Sequence, residues 1–135
     1  MAKRSEFVEY VVETMRDFGP VEAKAMFGGW GLYHHGTFFA LVAGDALYLK
    51  TDQENRVRFD AQGLDPFVFK SKDGMSTAMS YRRAPDEALE SPAVMAEWAR
   101  LGYEAALRAA AAKAGRKSAK PAMPPRSPAR SRRGS

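Results

Sequence analysis

Residues 37–50, TFFALVAGDALYLK, hold two apolar runs on either side of a Gly-Asp pair. Gly44-Asp45 suits a two-residue type II′ turn, which needs positive φ at its first central position. The runs 37–43 and 46–50 therefore read as the arms of a β-hairpin. Both Phe38/Ala40/Val42 and Phe39/Leu41/Ala43 are apolar. Such a strand is central and covered on both faces, or covered on one face by a partner subunit.

Working outward, residues 21–33 read as one strand running through Gly28-Gly29-Trp30-Gly31-Leu32-Tyr33, joined to the hairpin by a turn at His34-His35-Gly36. Three runs with two short connections predict an antiparallel meander. Upstream, Phe7, Val8, Val11, Val12, Met15 and Phe18 recur at spacings of three and four, the stripe of an amphipathic helix that Gly19-Pro20 stops. Downstream, Asp52 is placed to cap a short helix that Gly63 ends. Residues 67–70 and 77–82 read as two further strands, and Ala84-Pro85-Asp86 turns the chain. Ser91 then caps a last helix with Pro92 at its first position. Val94, Met95, Trp98, Leu101, Ala105 and Ala106 form its buried stripe, and alanines 109–112 extend it by propensity alone. The order α-β-β-β-α-β-β-α, with helices at both ends, predicts a two-layer α+β domain over residues 1–112 with a mostly antiparallel sheet.

Charge divides the chain at the same place. Residues 113–135 contain Lys113, Arg116, Lys117, Lys120, Arg126, Arg130, Arg132 and Arg133 and no acid, whereas residues 1–112 carry 13 basic and 16 acidic side chains. The net +5 is thus a body near −3 joined to a tail of +8. Pro121, Pro124, Pro125 and Pro128 with few apolar neighbours predict that the tail is disordered, because it cannot bury enough surface to offset its ordering entropy. Its charge suits non-specific contact with DNA or RNA through those eight residues. Ser127-Pro128-Ala129-Arg130 is similar to one copy of the Ser-Pro-x-Lys/Arg repeats of DNA-tail proteins. A solubilising extension is the plainer alternative.

Several classes of chemistry find little support. There is no cysteine, hence no disulfide, thiolate nucleophile or thiolate metal site. No apolar run approaches the ~20 residues of a membrane helix, and the first residues lack a signal-like apolar core, which points to the cytoplasm. Gly28-Gly29-Trp30-Gly31 precedes a strand rather than a helix, so it reads as a β-bulge or kinked strand start and not as a phosphate loop. His34 and His35 read as exposed turn residues; neighbours on a strand point to opposite faces and rarely share an ion. Asp86, Glu87 and Glu90 are accounted for by the dipole of the last helix. Lys70, Lys72, Arg82 and Arg83 read as a charged sheet edge. Trp30, Tyr33, Tyr48 and Tyr81 are the residues that would line a pocket between sheet and helices, were there an active site. No catalytic, cofactor or metal residue is assigned.

Taken together, Met26-Phe27-Gly28-Gly29-Trp30-Gly31-Leu32-Tyr33, Phe39-Ala40-Leu41-Val42, Leu47-Tyr48-Leu49-Lys50 and Met79-Ser80-Tyr81 resemble the TfoX/Sxy N-terminal domain family. Asp52 with Asn55, Gly63-x-x-Pro66-Phe67 and the helix start from Ser91-Pro92 to Trp98 support the match, which runs from about residue 7 to about residue 110. The resemblance implies a fold similar to type III secretion chaperones. It also implies a non-enzymatic regulator of the kind that acts in competence gene expression beside a cyclic-AMP-receptor-type transcription factor. Better-known members often carry a second, helical domain, where this sequence has the basic tail. With the readings from charge and hydropathy, the expected partners are a transcription factor or other protein, a second copy of the chain, and DNA or RNA at the tail, with no membrane. A homodimeric interaction module is the second reading.

Overall fold

A computed structural model describes residues 6–26 and 28–122, with the side chains of Met79 and of residues 115–122 left aside. The elements are α1 (Glu6–Thr14) with a 3-10 turn (Met15–Asp17), β1 (Glu22–Met26), β2 (Gly29–His34), β3 (Thr37–Ala43), β4 (Ala46–Lys50), α2 (Arg56–Ala61), β5 (Pro66–Ser71), β6 (Gly74–Arg83), α3 (Asp86–Glu90) and α4 (Pro92–Ala122). The six strands form one sheet in the order β1-β2-β3-β4-β6-β5. Every neighbouring pair is antiparallel. The expected two-layer α+β architecture is what forms, with the helices packed on one face.

The meander has one strand more than the sequence reading gives it. Met26 pairs with Gly29, so the chain reverses between them instead of running on as one strand through residue 33. Gly28 sits at φ 79°, a turn conformation that a side chain resists. The expected bulge at Gly28-Gly29 is therefore a hairpin turn. A bulge does occur, but in β3. Leu32 pairs with Ala40 and Tyr33 with Phe38, which leaves Phe39 without a partner on β2. A bulge turns two successive residues toward the same side. Phe39 and Ala40 are accordingly both buried.

The other turns follow their residues. His35 and Gly36 both take positive φ, at 49° and 78°, as a type I′ hairpin requires. At the next turn Gly44 is positive, at 61°, and Asp45 is not, in keeping with the expected type II′.

The core lies between the sheet and the helices. Leu32, Phe39, Ala40, Val42, Leu47 and Leu49 meet Val8, Val11 and Met15 from the N-terminal helix and Met95, Trp98, Ala99 and Ala106 from α4. Phe59 of α2 sets its ring edge against Trp98 at 5.1 Å. Among the described residues the strand 37–43 is thus covered by helices on one face only, and no helical layer lies on the other.

Three boundaries differ from expectation. The short helix α2 begins at Arg56, because Asp52 caps an earlier turn, accepting the amides of Glu54 and Asn55 at 3.0 and 3.1 Å. Asp86–Glu90 is a helix of its own, α3, rather than a charged lead into the last one. Its one apolar turn buries Ala88 completely. Finally, α4 continues through 113–122 instead of giving way to an irregular tail at 113. Lys113, Ala114, Arg116, Lys117, Ala119 and Lys120 are good helix formers that prolong the alanine run. Residues 123–135, the rest of the expected tail, lie outside the described residues. Among the described residues no helix is long and apolar enough to cross a membrane.

Candidate functional site

Side chains alternate along a strand, so the register sorts this sheet into two faces. Leu32, Ala40, Val42, Leu47, Leu49 and Arg82 point to the helices. Tyr33, Phe38, Leu41, Tyr48 and Tyr81 point away from them, as the pairs Tyr33–Phe38, Leu41–Tyr48 and Lys50–Tyr81 require. On this outer face the rings pack against one another, three pairs tilted and one stacked. Phe38 lies 5.3 Å from Tyr33 and 5.8 Å from Tyr81, and Phe67 lies 5.0 Å from Tyr48 and 5.8 Å from Phe69. Two lysines lie on the rings: Lys24 Nζ is 4.7 Å from the Tyr33 centroid and Lys50 Nζ 5.1 Å from that of Tyr81. Burial among these rings pushes the Tyr81 phenol up to about 12, with Tyr33 adding to the shift. The pocket-lining arrangement expected for Tyr33, Tyr48 and Tyr81 is thus corrected: they stand on the side opposite the helices, and only Trp30 packs toward them.

The buried polar side chains on the helical side are all occupied in holding the fold. His34 is buried, not an exposed turn residue: its Nδ1 donates to the Pro20 carbonyl at 2.7 Å, and its ring packs 4.5 Å from Phe18 and 4.8 Å from Tyr103. Because His35 takes a turn conformation, the two imidazoles stack at 4.0 Å instead of pointing apart. Arg82 is likewise no part of a solvated, charged sheet edge. Its guanidinium donates to Leu64 O at 2.7 Å and Asp60 Oδ1 at 2.5 Å from within the interior. Thr14 donates to Tyr10 O at 2.7 Å. Among the described residues no three His, Asp or Glu side chains converge as metal ligands would. An open surface cleft of about 380 Å³ runs between Gln62–Asp65 and Arg83–Asp86, lined by Asp65, Arg83 and Asp86 at its polar rim.

A second polar cluster fastens α4 to the loop after β4. Arg108 donates from Nε to Asp52 Oδ2 at 2.6 Å and from a terminal nitrogen to Oδ1 at 3.0 Å, a bidentate fork, with Glu54 at 3.3 Å. Hydrogen bonding from Arg108 holds the Asp52 carboxyl below its ordinary 3.8, against the opposing effect of burial. The folded state therefore gains from this carboxylate above the unfolded value and loses that gain as pH falls through the lower, folded one. Arg108→Met should flatten the acid limb of the stability–pH curve below about pH 4 and leave the neutral limb parallel to the parent. Urea midpoints across that range are the measurement, and an unchanged acid limb would show that the fork contributes nothing.

The eight tail residues proposed to meet nucleic acid are only partly placed. Lys113 is exposed on α4, and Arg116, Lys117 and Lys120 lie on the same helix. Arg126, Arg130, Arg132 and Arg133 lie outside the described residues.

Compared with known families, residues 13–106 match the model for the TfoX N-terminal domain. The chain belongs to the TfoX N-terminal domain family. Among curated proteins no match was found. Membership makes this a TfoX-like regulatory protein at the level of the family, which is not a known enzyme family.

In this TfoX N-terminal domain the quoted motif residues divide between two tasks. Leu32 is core, and Gly28 forms the turn. A Cβ at Gly29 would stand 2.3 Å from the Val42 carbonyl oxygen, so the backbones there approach too closely for any side chain. At Gly31 a Cβ would meet the Met26 sulfur at 2.4 Å. Ser80 accepts the Thr51 amide through its carbonyl at 2.7 Å. Met79 belongs to β6, and Phe27 lies outside the described residues. Tyr33, Tyr48, Lys50 and Tyr81 have no such structural duty: all four face outward from the sheet. Sequence reasoning missed their companions Lys24, Phe38, Phe67 and Phe69. Alternation along each strand was the available signal, but it is useful only once the register is known.

Proposed function

We propose that this protein is a non-enzymatic transcriptional co-regulator of the TfoX type that acts by binding, with the open outer face of its sheet as docking surface and its basic C-terminal segment as an attachment to nucleic acid. The observation that carries the reading is the outer face itself. Five strands present aromatic rings there with no helix over them among the described residues, while the buried polar side chains His34, Asn55 and Arg82 on the other side already have partners. A surface of that kind gains free energy when something covers it.

The tail supplies long-range attraction without sequence preference. Replacing all eight basic residues from Lys113 to Arg133 by Gln should weaken binding to duplex DNA and flatten its salt dependence. If every charge meets a phosphate, the slope of log K against log salt falls from about 7 toward zero. Fluorescence anisotropy at low and moderate salt reads this out. Equal binding by parent and variant would remove the tail from the account, and no binding by either would remove nucleic acid altogether.

A homodimer is the second reading. It is favoured by β5, an edge strand whose hairpin leaves Val68 47%, Phe69 39% and Met75 67% exposed. Such an edge invites pairing with a copy of itself. Sedimentation of the full chain distinguishes the cases: a monomer at tens of micromolar would discard this reading.

A further inference from the structure

The outer face has a charge as well as a shape. By register, Lys24 stands beside Gly31, Lys50 beside Tyr81, and Arg83 beside Tyr48. Glu22, opposite Tyr33 at the sheet edge, is the one carboxylate among the described strand residues of this face. None of the three cations is ion-paired among the described residues, although the folded body as a whole carries more acids than bases. The positive character is therefore local to the aromatic surface.

We propose that this face binds single-stranded nucleic acid, with bases laid on Tyr33, Tyr48, Phe67 and Tyr81 and phosphates drawn to Lys24, Lys50 and Arg83. This deepens the reading of the open face as a docking surface and rests on it. Three arguments select the occupant. Aromatic rings half exposed on a flat sheet offer π-faces to unpaired bases, a sequence-tolerant contact. A duplex has its bases stacked inside and cannot use them. A second copy of this face would bring three cations against three cations, so the charge that suits a polyanion opposes self-association through the same surface. Lys24 and Lys50 lie over the Tyr33 and Tyr81 rings, so a base that stacks there displaces the ammonium to the rim of the ring, where it meets the adjoining phosphate.

The test uses the intact chain, an oligothymidylate of about 12 nucleotides and a duplex of the same length, read by fluorescence anisotropy. Tyr48→Leu keeps an apolar side chain but removes the π-face, and should weaken oligothymidylate binding about tenfold. Tyr48→Phe should restore it. Lys24→Gln and Lys50→Gln should each lower the salt slope by about 0.7. Duplex binding should be unmoved by all four, since the tail carries it. The same substitutions in the chain with a Gln-neutralised tail keep the face and tail contributions apart, and a melting curve for each variant reports its fold. Oligothymidylate binding that ignores Tyr48→Leu and Lys50→Gln but vanishes with the tail charges would overturn the face assignment and leave the regulatory reading standing. A poly-glutamate peptide bound as tightly as the oligonucleotide, with equal loss on Tyr48→Leu, would overturn it in favour of an acidic protein partner. Failure to bind either nucleic acid would overturn the assignment of this face and the tail attachment, and leave the face as a docking surface for protein.

Discussion

Phe39→Ala should lower folding stability by about 3–5 kcal/mol and the melting temperature by about 10–20 °C. The expectation comes from the bulge. A regular β3 would send Phe39 to the outer face with Leu41. The missing partner on β2 turns it inward beside Ala40, where it is 0% exposed. Its ring lies 5.4 Å from Phe18 and 6.0 Å from Tyr103, so it joins the end of the first helical segment to α4. Removing it opens a cavity bounded by the sheet and two helical segments, which cannot all close on it at once. Phe39→Leu, which keeps much of the volume, should lose less than half as much. Urea unfolding at constant slope is the measurement. A loss under about 1 kcal/mol for the alanine variant would mean that the ring is not in the core.

Asn55→Ala should cost about 2–4 kcal/mol, a large effect for one short polar side chain. Asn55 is 4% exposed. Its amide nitrogen donates to Lys50 O at 3.2 Å and Leu101 O at 3.0 Å, and its oxygen accepts the Asp52 amide at 3.0 Å. Alanine leaves two carbonyls and one amide without their partner, and no other nearby residue type supplies donors and an acceptor in that geometry. Asn55→Asp separates this account from simple loss of packing. A carboxylate would face two carbonyl oxygens, so its folded pKa rises above the unfolded value. By linkage the Asp variant is weakest near neutral pH and regains stability as the pH is lowered toward about 4. Denaturant midpoints that stay flat over that interval would rule out the carbonyl contacts.

The parts of the fold that could be read from sequence are those decided by neighbours in the chain. The stripe through Val8, Val11 and Met15, the Gly44-Asp45 turn and the Ser91-Pro92 start depend on residues within a few positions. Each is found where expected, with Val94 N donating to Ser91 Oγ at 3.3 Å. What escaped reading depends on distant partners. His34 looks like a turn residue until Tyr103, on α4, closes over it. Arg82 looks like surface charge until Leu64 and Asp60 are brought to it by α2 and the loop that follows. The hairpin at Gly28 was hidden because residues 22–26, Glu-Ala-Lys-Ala-Met, have weak strand propensity and do not look like an arm of their own. The candidate site was legible only as a list of aromatics. That Tyr33, Tyr48 and Tyr81 share a face follows from the register of β2 on β3, β3 on β4 and β4 on β6, which the residues next to them in the chain do not set.

The one-sided covering of the sheet has a consequence for how the sequence can change over time. Each strand spells two messages in alternate letters: one is read by the helices and sets whether the chain folds, the other is read by whatever arrives from outside. Exchanges among the outward rings and charges open no cavity under the helices and strand none of the polar side chains buried there. A lineage can therefore revise what this surface grips, ring by ring and charge by charge, while Phe39, Leu49 and Asn55 keep the same scaffold beneath it.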